Sequence, residues 1–137
     1  MILAIDIGNT NIVVGCIDEQ ETCFVERIST STDQTTLEYA ITFKNILELY
    51  HINPKGLEGA IISSVVPNIS NTVRRSVEKV IGKPCLLVGP GVKTGLNIQM
   101  DNPATVGSDL VVTAVAGIKE YKAPFVVIDM GTATTIT

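Results

Sequence analysis

Six consecutive residues, Asp6-Ile7-Gly8-Asn9-Thr10-Asn11, put a carboxylate, a glycine and three short polar side chains into one stretch of chain. That set matches what phosphoryl transfer asks of a protein: amide donors for phosphate oxygens, a carboxylate for a metal, and positioning more than covalent chemistry. Gly8 lets the main chain pass close to a phosphate, and the amides with the Asn9, Thr10 and Asn11 side chains can donate to its oxygens. Asp6, at the end of an apolar run, would hold hydrated Mg²⁺. Gly-Asn is also ordinary hairpin material. The pattern recurs, however: Ile5-Asp6-Ile7-Gly8-Asn9-Thr10 aligns with Ile128-Asp129-Met130-Gly131-Thr132-Ala133 at an offset of 123 residues, and a second similar turn favours function over a chance hairpin.

Other reactive groups are less telling. Asp109, in Val106-Gly107-Ser108-Asp109-Leu110, stands where an amphipathic pattern starts. A carboxylate there is a routine cap or dipole partner worth about 0.5–2 kcal/mol, and composition does not choose between that role and a chemical one. His51, the single histidine, follows a helical pattern beside Asn53-Pro54 and suits a surface or helix-end position. Lys93, in Gly89-Pro90-Gly91-Val92-Lys93-Thr94-Gly95, lacks the spacing of a P-loop and reads as loop. Cys16, Cys23 and Cys85 show no CxxC spacing and no nearby histidine, so they read as reduced thiols in a cytosolic core rather than as metal ligands or disulfides.

Short elements must carry these groups. Ile2 to Asp6, Ile12 to Ile17 and Thr22 to Ile28 are β-rich and separated by Gly8-Asn9-Thr10 and Asp18-Glu19-Gln20, which predicts a three-strand antiparallel meander. Ala40, Phe43, Leu47 and Tyr50 recur at helical spacing within 36–50. Gly59 to Val66 reads as a strand buried on both faces, and a helix capped by Asn68 or Ser70 runs to Ile81, with Gly82 past its end. Cys85 to Val88 is a fifth strand, 89–103 a loop, 105–120 a third helix, and Phe125 to Ile128 a last apolar strand. The order is β-β-β-α-β-α-β-α-β, an α/β protein with a mixed sheet.

The chain's 137 residues suit one domain, since domains commonly run to about 100–150 residues, and with 45% of them apolar there is ample material for a core. A net charge of -4, with no basic run longer than Arg74-Arg75, gives no electrostatic footprint for nucleic acid. The apolar start meets a carboxylate at Asp6 and lacks a basic region, unlike a signal peptide. No stretch approaches the roughly 18 apolar residues of a membrane span. A cytoplasmic protein with no nucleic-acid or membrane partner is expected.

The strand and helix order resembles the ribonuclease H-like arrangement of actin, hexokinase and heat-shock ATPases, in which ATP lies between two similar domains. The combination of Asp6 to Asn11, Ile62-Ser63-Ser64-Val65-Val66-Pro67, Val88 to Gly95, Asp101-Asn102-Pro103, Val106-Gly107-Ser108-Asp109 and Asp129-Met130-Gly131-Thr132-Ala133-Thr134-Thr135 resembles type III pantothenate kinase, in family order along the whole chain. The resemblance implies transfer of the ATP γ-phosphate to the terminal hydroxyl of pantothenate, the first step of coenzyme A synthesis, by a homodimer using Mg²⁺ and a monovalent cation such as K⁺ or NH4⁺. By the same resemblance Asp6, Ile7, Gly8, Asn9, Thr10, Asn11, Ile12 and Val13 would hold ATP, with Asp6 reaching Mg²⁺ through water, and Thr132 would reach the phosphates from the second turn. Asp129 would sit at the monovalent cation, and Asp109 would be the general base, taking the hydroxyl proton. Met100, Gly107, Ser108, Asp109 and Leu110 would border pantothenate.

Two positions depart from the family pattern. Leu110 stands where the family usually has arginine, and Met100 where it commonly has tyrosine. The missing cation would weaken a charge-assisted bond to the pantothenate carboxylate by roughly 1.5–3 kcal/mol. Family members also continue for about another hundred residues by the same resemblance, so the chain is expected to comprise an ATPase domain over 1–122 and, over 123–137, the first strand and turn of a second. On that expectation it would be an N-terminal piece with little kinase activity alone. Its final strand would have unpaired edges, favouring self-association or folding onto the first domain. Two alternatives are a kinase for another small hydroxy acid and a Bvg accessory factor-type transcription regulator. Loss of the carboxylates would mark the regulator, and Asp6, Asp109 and Asp129 are all present.

Overall fold

The computed structural model describes residues 1–19, 21–131 and 134–137. They form two compact units, Met1–Leu87 and Val88–Thr137.

In the first unit, β1 (Ile2–Ile7), β2 (Asn11–Ile17) and β3 (Thr22–Ser29) form the expected antiparallel meander. β4 (Gly59–Ser64) then joins the other side of β1 in parallel, and β5 (Cys85–Leu87) joins β4 in parallel. The sheet order is β3-β2-β1-β4-β5. Three antiparallel strands followed by alternating helices and parallel strands is the mixed, ribonuclease H-like order read from the sequence.

Register decides which side chains meet. Leu3 lies between Cys16 and Ala60, Ile5 between Val14 and Ile62, and Ile7 beside Ile12. All are buried and join one core with Tyr39, Phe43 and Leu47 of α1 (Thr36–Leu49) and Ile69, Val73, Val77 and Ile81 of α2 (Pro67–Ile81). Because strand side chains alternate, the exposed Asp6 and the buried Ser63 lie on the opposite face, along with the exposed Ile2, Ile17, Val25 and Leu86. Cys23 departs from the expectation of a core thiol: Phe24 pairs with Cys16 and takes the inward position, which turns its neighbour Cys23 outward.

Helix boundaries differ from the sequence reading at α2. The strand ends at Ser64 rather than Val66, and the helix starts at Pro67 without a side-chain cap from Asn68 or Ser70. Proline has no N–H to satisfy and a preset φ, so it opens the helix by itself. Ser70 Oγ instead donates to the Val66 carbonyl at 2.9 Å and lies in hydrogen-bond contact with Ser64 Oγ at 2.7 Å. Gly82 closes α2 in the left-handed conformation, as expected. At α1 a capping box, Thr35 with Glu38, starts the helix, and His51 takes a positive φ just past its end.

The second unit begins with a stretch free of regular structure, then has a short 3₁₀ turn at Pro103–Thr105 and α3 (Ser108–Glu120). The last strand lies later than the apolar run suggested: β6 is Ile128–Met130, paired antiparallel with β7 (Thr134–Ile136). Phe125 is drawn to α3, where a Cβ on Gly117 would come within 2.6 Å of its ring. The terminal strand is therefore paired locally, and Val127 and Thr137 exchange both main-chain hydrogen bonds, at 2.8 and 2.9 Å.

Candidate functional site

The first turn is built where β1 hands over to β2. Ile7 pairs with Ile12, leaving Gly8 to Asn11 to cross. Gly8 N–H donates to the Asn11 carbonyl at 2.9 Å, and a Cβ on Gly8 would stand 3.0 Å from that same oxygen. A side chain here would press on the facing main chain, which favours glycine. Asn9 and Thr10 are exposed at the tip and Gly8 and Asn11 half-buried. Ile7 and Ile12 are fully buried in the core, leaving only their main chain for a ligand, and Val13 is half-buried beside Asp6.

Asp6 is exposed on β1, flanked in register by Val13 on one side and Ser63 on the other. The parallel β1–β4 pairing therefore brings the Ile62-Ser63-Ser64 end of β4 to the carboxylate, and Val65 N–H continues the ladder to the Ile7 carbonyl at 3.0 Å. Thr30 is a second neighbour that sequence reasoning passed over. Its hydroxyl donates to the Gly8 carbonyl at 2.7 Å and its N–H to the Thr10 carbonyl at 3.0 Å. The only sequence signal for it was its place one residue past β3, where a meander returns to its first turn.

In the second unit, Gly107 is the N-cap of α3, and Ser108, Asp109 and Leu110 form its first turn. Asp109 folds back so that Oδ1 accepts from Leu110 N–H at 2.9 Å, while its carbonyl accepts from Thr113 Oγ1 at 2.6 Å. A Cβ on Gly107 would overlap Oδ1, so glycine at the cap is what admits this carboxylate position. Ser108 and Leu110 are half-buried, and Met100 is exposed in the preceding loop. Asp129 is exposed in the middle of β6 and pairs with Thr135. Thr132 lies outside the described residues. Met130 pairs with Thr134 in the second repeat, where Ile7 pairs with Ile12 in the first.

The donor set fits a metal-bound nucleotide. Mg²⁺ needs only one or two carboxylates when phosphates and water complete its shell, and Asp6 offers an exposed carboxylate beside a turn of main-chain amides. Among the described residues no group of three or more histidine, cysteine, aspartate or glutamate side chains could hold a metal by itself. No helix of the described residues is long and apolar enough to cross a membrane.

The family model of type III pantothenate kinase matches residues 2–137. A type III pantothenate kinase of Bifidobacterium animalis is 44% identical over 135 residues, covering 98% of this chain and 54% of that protein. One from an Exiguobacterium strain is also 44% identical, covering 98% of this chain and 53% of its own length. The chain spans about half the length of the curated relatives it matches. Among solved structures, a ROK hexokinase from Thermus thermophilus aligns over 64% of this chain and 32% of its own, at a TM-score of 0.48 and 16% identity.

Proposed function

We propose that this chain, which belongs to the type III pantothenate kinase family, supplies the phosphate turn and the general base of an enzyme that transfers the ATP γ-phosphate to the terminal hydroxyl of pantothenate. This is the first step of coenzyme A synthesis. The observation carrying the reading is the turn after Asp6, where a close crossing at Gly8 leaves Asn9 and Thr10 exposed beside a carboxylate. Main-chain amides and short polar side chains there would bind the phosphates, and Asp6 would hold Mg²⁺ through water. Magnesium bound there would neutralise phosphate charge. Asp109 would take the hydroxyl proton of the acceptor, with its carboxylate orientation set by the Leu110 N–H. Asp129 would serve a monovalent cation such as K⁺, Thr132 would approach the phosphates, and Met100 and Gly107 to Leu110 would border the acceptor. The working enzyme would be a cytoplasmic homodimer.

A second reading is favoured by Leu110. An aliphatic side chain in the first turn of α3, next to Asp109, offers no cation to an acceptor carboxylate, which suits another small hydroxylated substrate. Both readings are tested on the product of the gene that encodes this chain. Turnover of ATP that depends on pantothenate and is abolished by Asp109→Asn supports the first. Absence of pantothenate binding at millimolar concentration, by titration calorimetry with an MgATP analogue present, sinks it in favour of the second.

A further inference from the structure

We infer that Thr30 is a positioning residue for ATP, acting through the main chain of the phosphate turn and itself anchored by Tyr39. The inference rests on the reading of Gly8 to Asn11 as the phosphate site. Thr30 makes two hydrogen bonds to the turn, one to each limb: Oγ1 to the Gly8 carbonyl at 2.7 Å and N–H to the Thr10 carbonyl at 3.0 Å. These carbonyls belong to the peptide units whose N–H groups are those of Asn9 and Asn11. In a planar trans peptide the C=O and N–H point in opposite directions. Holding both carbonyls toward Thr30 therefore turns the amides of Asn9 and Asn11 away from it, to the other side of the turn. Two amides aimed alike are what an anion site needs, and carbonyls aimed there instead would repel a phosphate.

Thr30 is not left to hold the turn from a loose loop. The next residue, Ser31, is clasped at both main-chain groups by one phenol: its N–H donates to Tyr39 Oη at 3.1 Å, and Tyr39 Oη donates to its carbonyl at 2.7 Å. The Tyr39 side chain is fully buried in the core, on α1 and against Phe43. A continuous set of contacts thus runs from the core through Tyr39, Ser31 and Thr30 to the tip of the turn. The Thr30 hydroxyl is spent on the Gly8 carbonyl and contributes orientation.

The test compares Thr30→Val, which keeps the shape and the N–H but loses the hydroxyl, with Thr30→Ser, which restores the hydroxyl, in the product of the gene that encodes this chain. Thr30→Val is expected to raise KM for ATP about tenfold, the equivalent of one lost hydrogen bond, with KM for the acceptor unchanged. Thr30→Ser should return ATP KM to within about twofold of wild type on the same arithmetic. Tyr39→Phe, which frees Ser31 without altering Thr30, should raise ATP KM in the same selective way and stands in if Thr30→Val does not fold. An ATP KM that is unchanged in the folded variants, or acceptor and ATP KM values that rise together, overturns the inference. Asp6→Ala separates the two levels. If it abolishes MgATP binding while Thr30→Val and Tyr39→Phe leave it intact, the positioning role alone is wrong. If Asp6→Ala leaves MgATP binding unchanged, the turn is not the phosphate site and the underlying reading falls with the inference.

Discussion

Gly107→Ala should separate catalysis from stability at α3. A Cβ at this position would overlap Asp109 Oδ1 while standing 3.4 Å from Cγ, at the edge of ordinary contact. The carboxylate carbon can stay, so the clash is relieved by rotating the carboxylate, and rotation breaks the 2.9 Å bond that Oδ1 accepts from Leu110 N–H. The oxygen is displaced by on the order of 1 Å, and if Asp109 is the general base proposed above, misplacement that far would cost about 10²-fold in rate, or about 2.7 kcal/mol of barrier. The fold should suffer less. Gly107 has φ −59 and ψ 143, which alanine adopts freely, and trading glycine for alanine at an N-cap costs about 1 kcal/mol or less. The assay is ADP release at saturating ATP and acceptor, followed together with thermal unfolding. A kcat within about twofold of wild type in the folded variant would refute the claim that this oxygen must occupy its observed place.

Other outcomes follow from neighbouring geometry. Leu110→Arg should lower KM for pantothenate by about tenfold or more if a cation is what the acceptor carboxylate lacks; unchanged steady-state constants would argue for a different acceptor. Thr35→Ala removes the hydroxyl that accepts from Glu38 N–H and donates to the Glu38 carboxylate, and should cost about 1 kcal/mol in denaturant unfolding. The Thr35 N–H, then its hydroxyl, hold the Glu38 carboxyl below its usual range. That contribution is present above the ordinary carboxylate pKa and lost as pH falls through the depressed value, so the gap between wild type and Thr35→Ala should narrow in acid. A disulfide reagent at pH 8 should titrate one thiol rapidly, the exposed Cys23. Burial pushes the Cys85 thiol up to about 11, with Glu78 adding to the effect, and burial also raises Cys16.

Much of this was legible from residue pattern because the strands alternate cleanly and the breakers are strong. Gly8-Asn9 and Gly82 end elements where the sequence says they should, and the meander appears in its predicted place. What escaped reading depends on pairing or on competition between local signals. Nothing in Thr30 distinguishes it from Ser29 or Ser31 until β3 folds beside β2 and brings it to the turn. Ser63 gains its place beside Asp6 only through a parallel register that links distant segments. Asn68 and Ser70 looked like caps because their side chains can cap, but Pro67 preceded them and needed none. Phe125 to Ile128 looked like a strand by apolarity alone, and the notch at Gly117 diverted its leading residue.

The placement of β1 at the middle of the sheet has a temporal side. Its hairpin partner β2 follows at once, but its parallel partner begins 57 positions later, with Ile2 opposite Gly59. At ribosomal speeds of 5–20 residues per second, β1 waits about 3–11 s for that partner to be synthesised. A hairpin closes in about 1–10 μs. The nascent chain can thus shape the Gly8 turn long before the core that anchors Thr30 exists, and for those seconds Leu3, Ile5 and Ile7 await the helices that will bury them. Slowing or pausing translation between the codons for residues 30 and 59 would lengthen this interval, making synthesis rate a determinant of yield for a protein whose central strand is made so far ahead of its parallel partner.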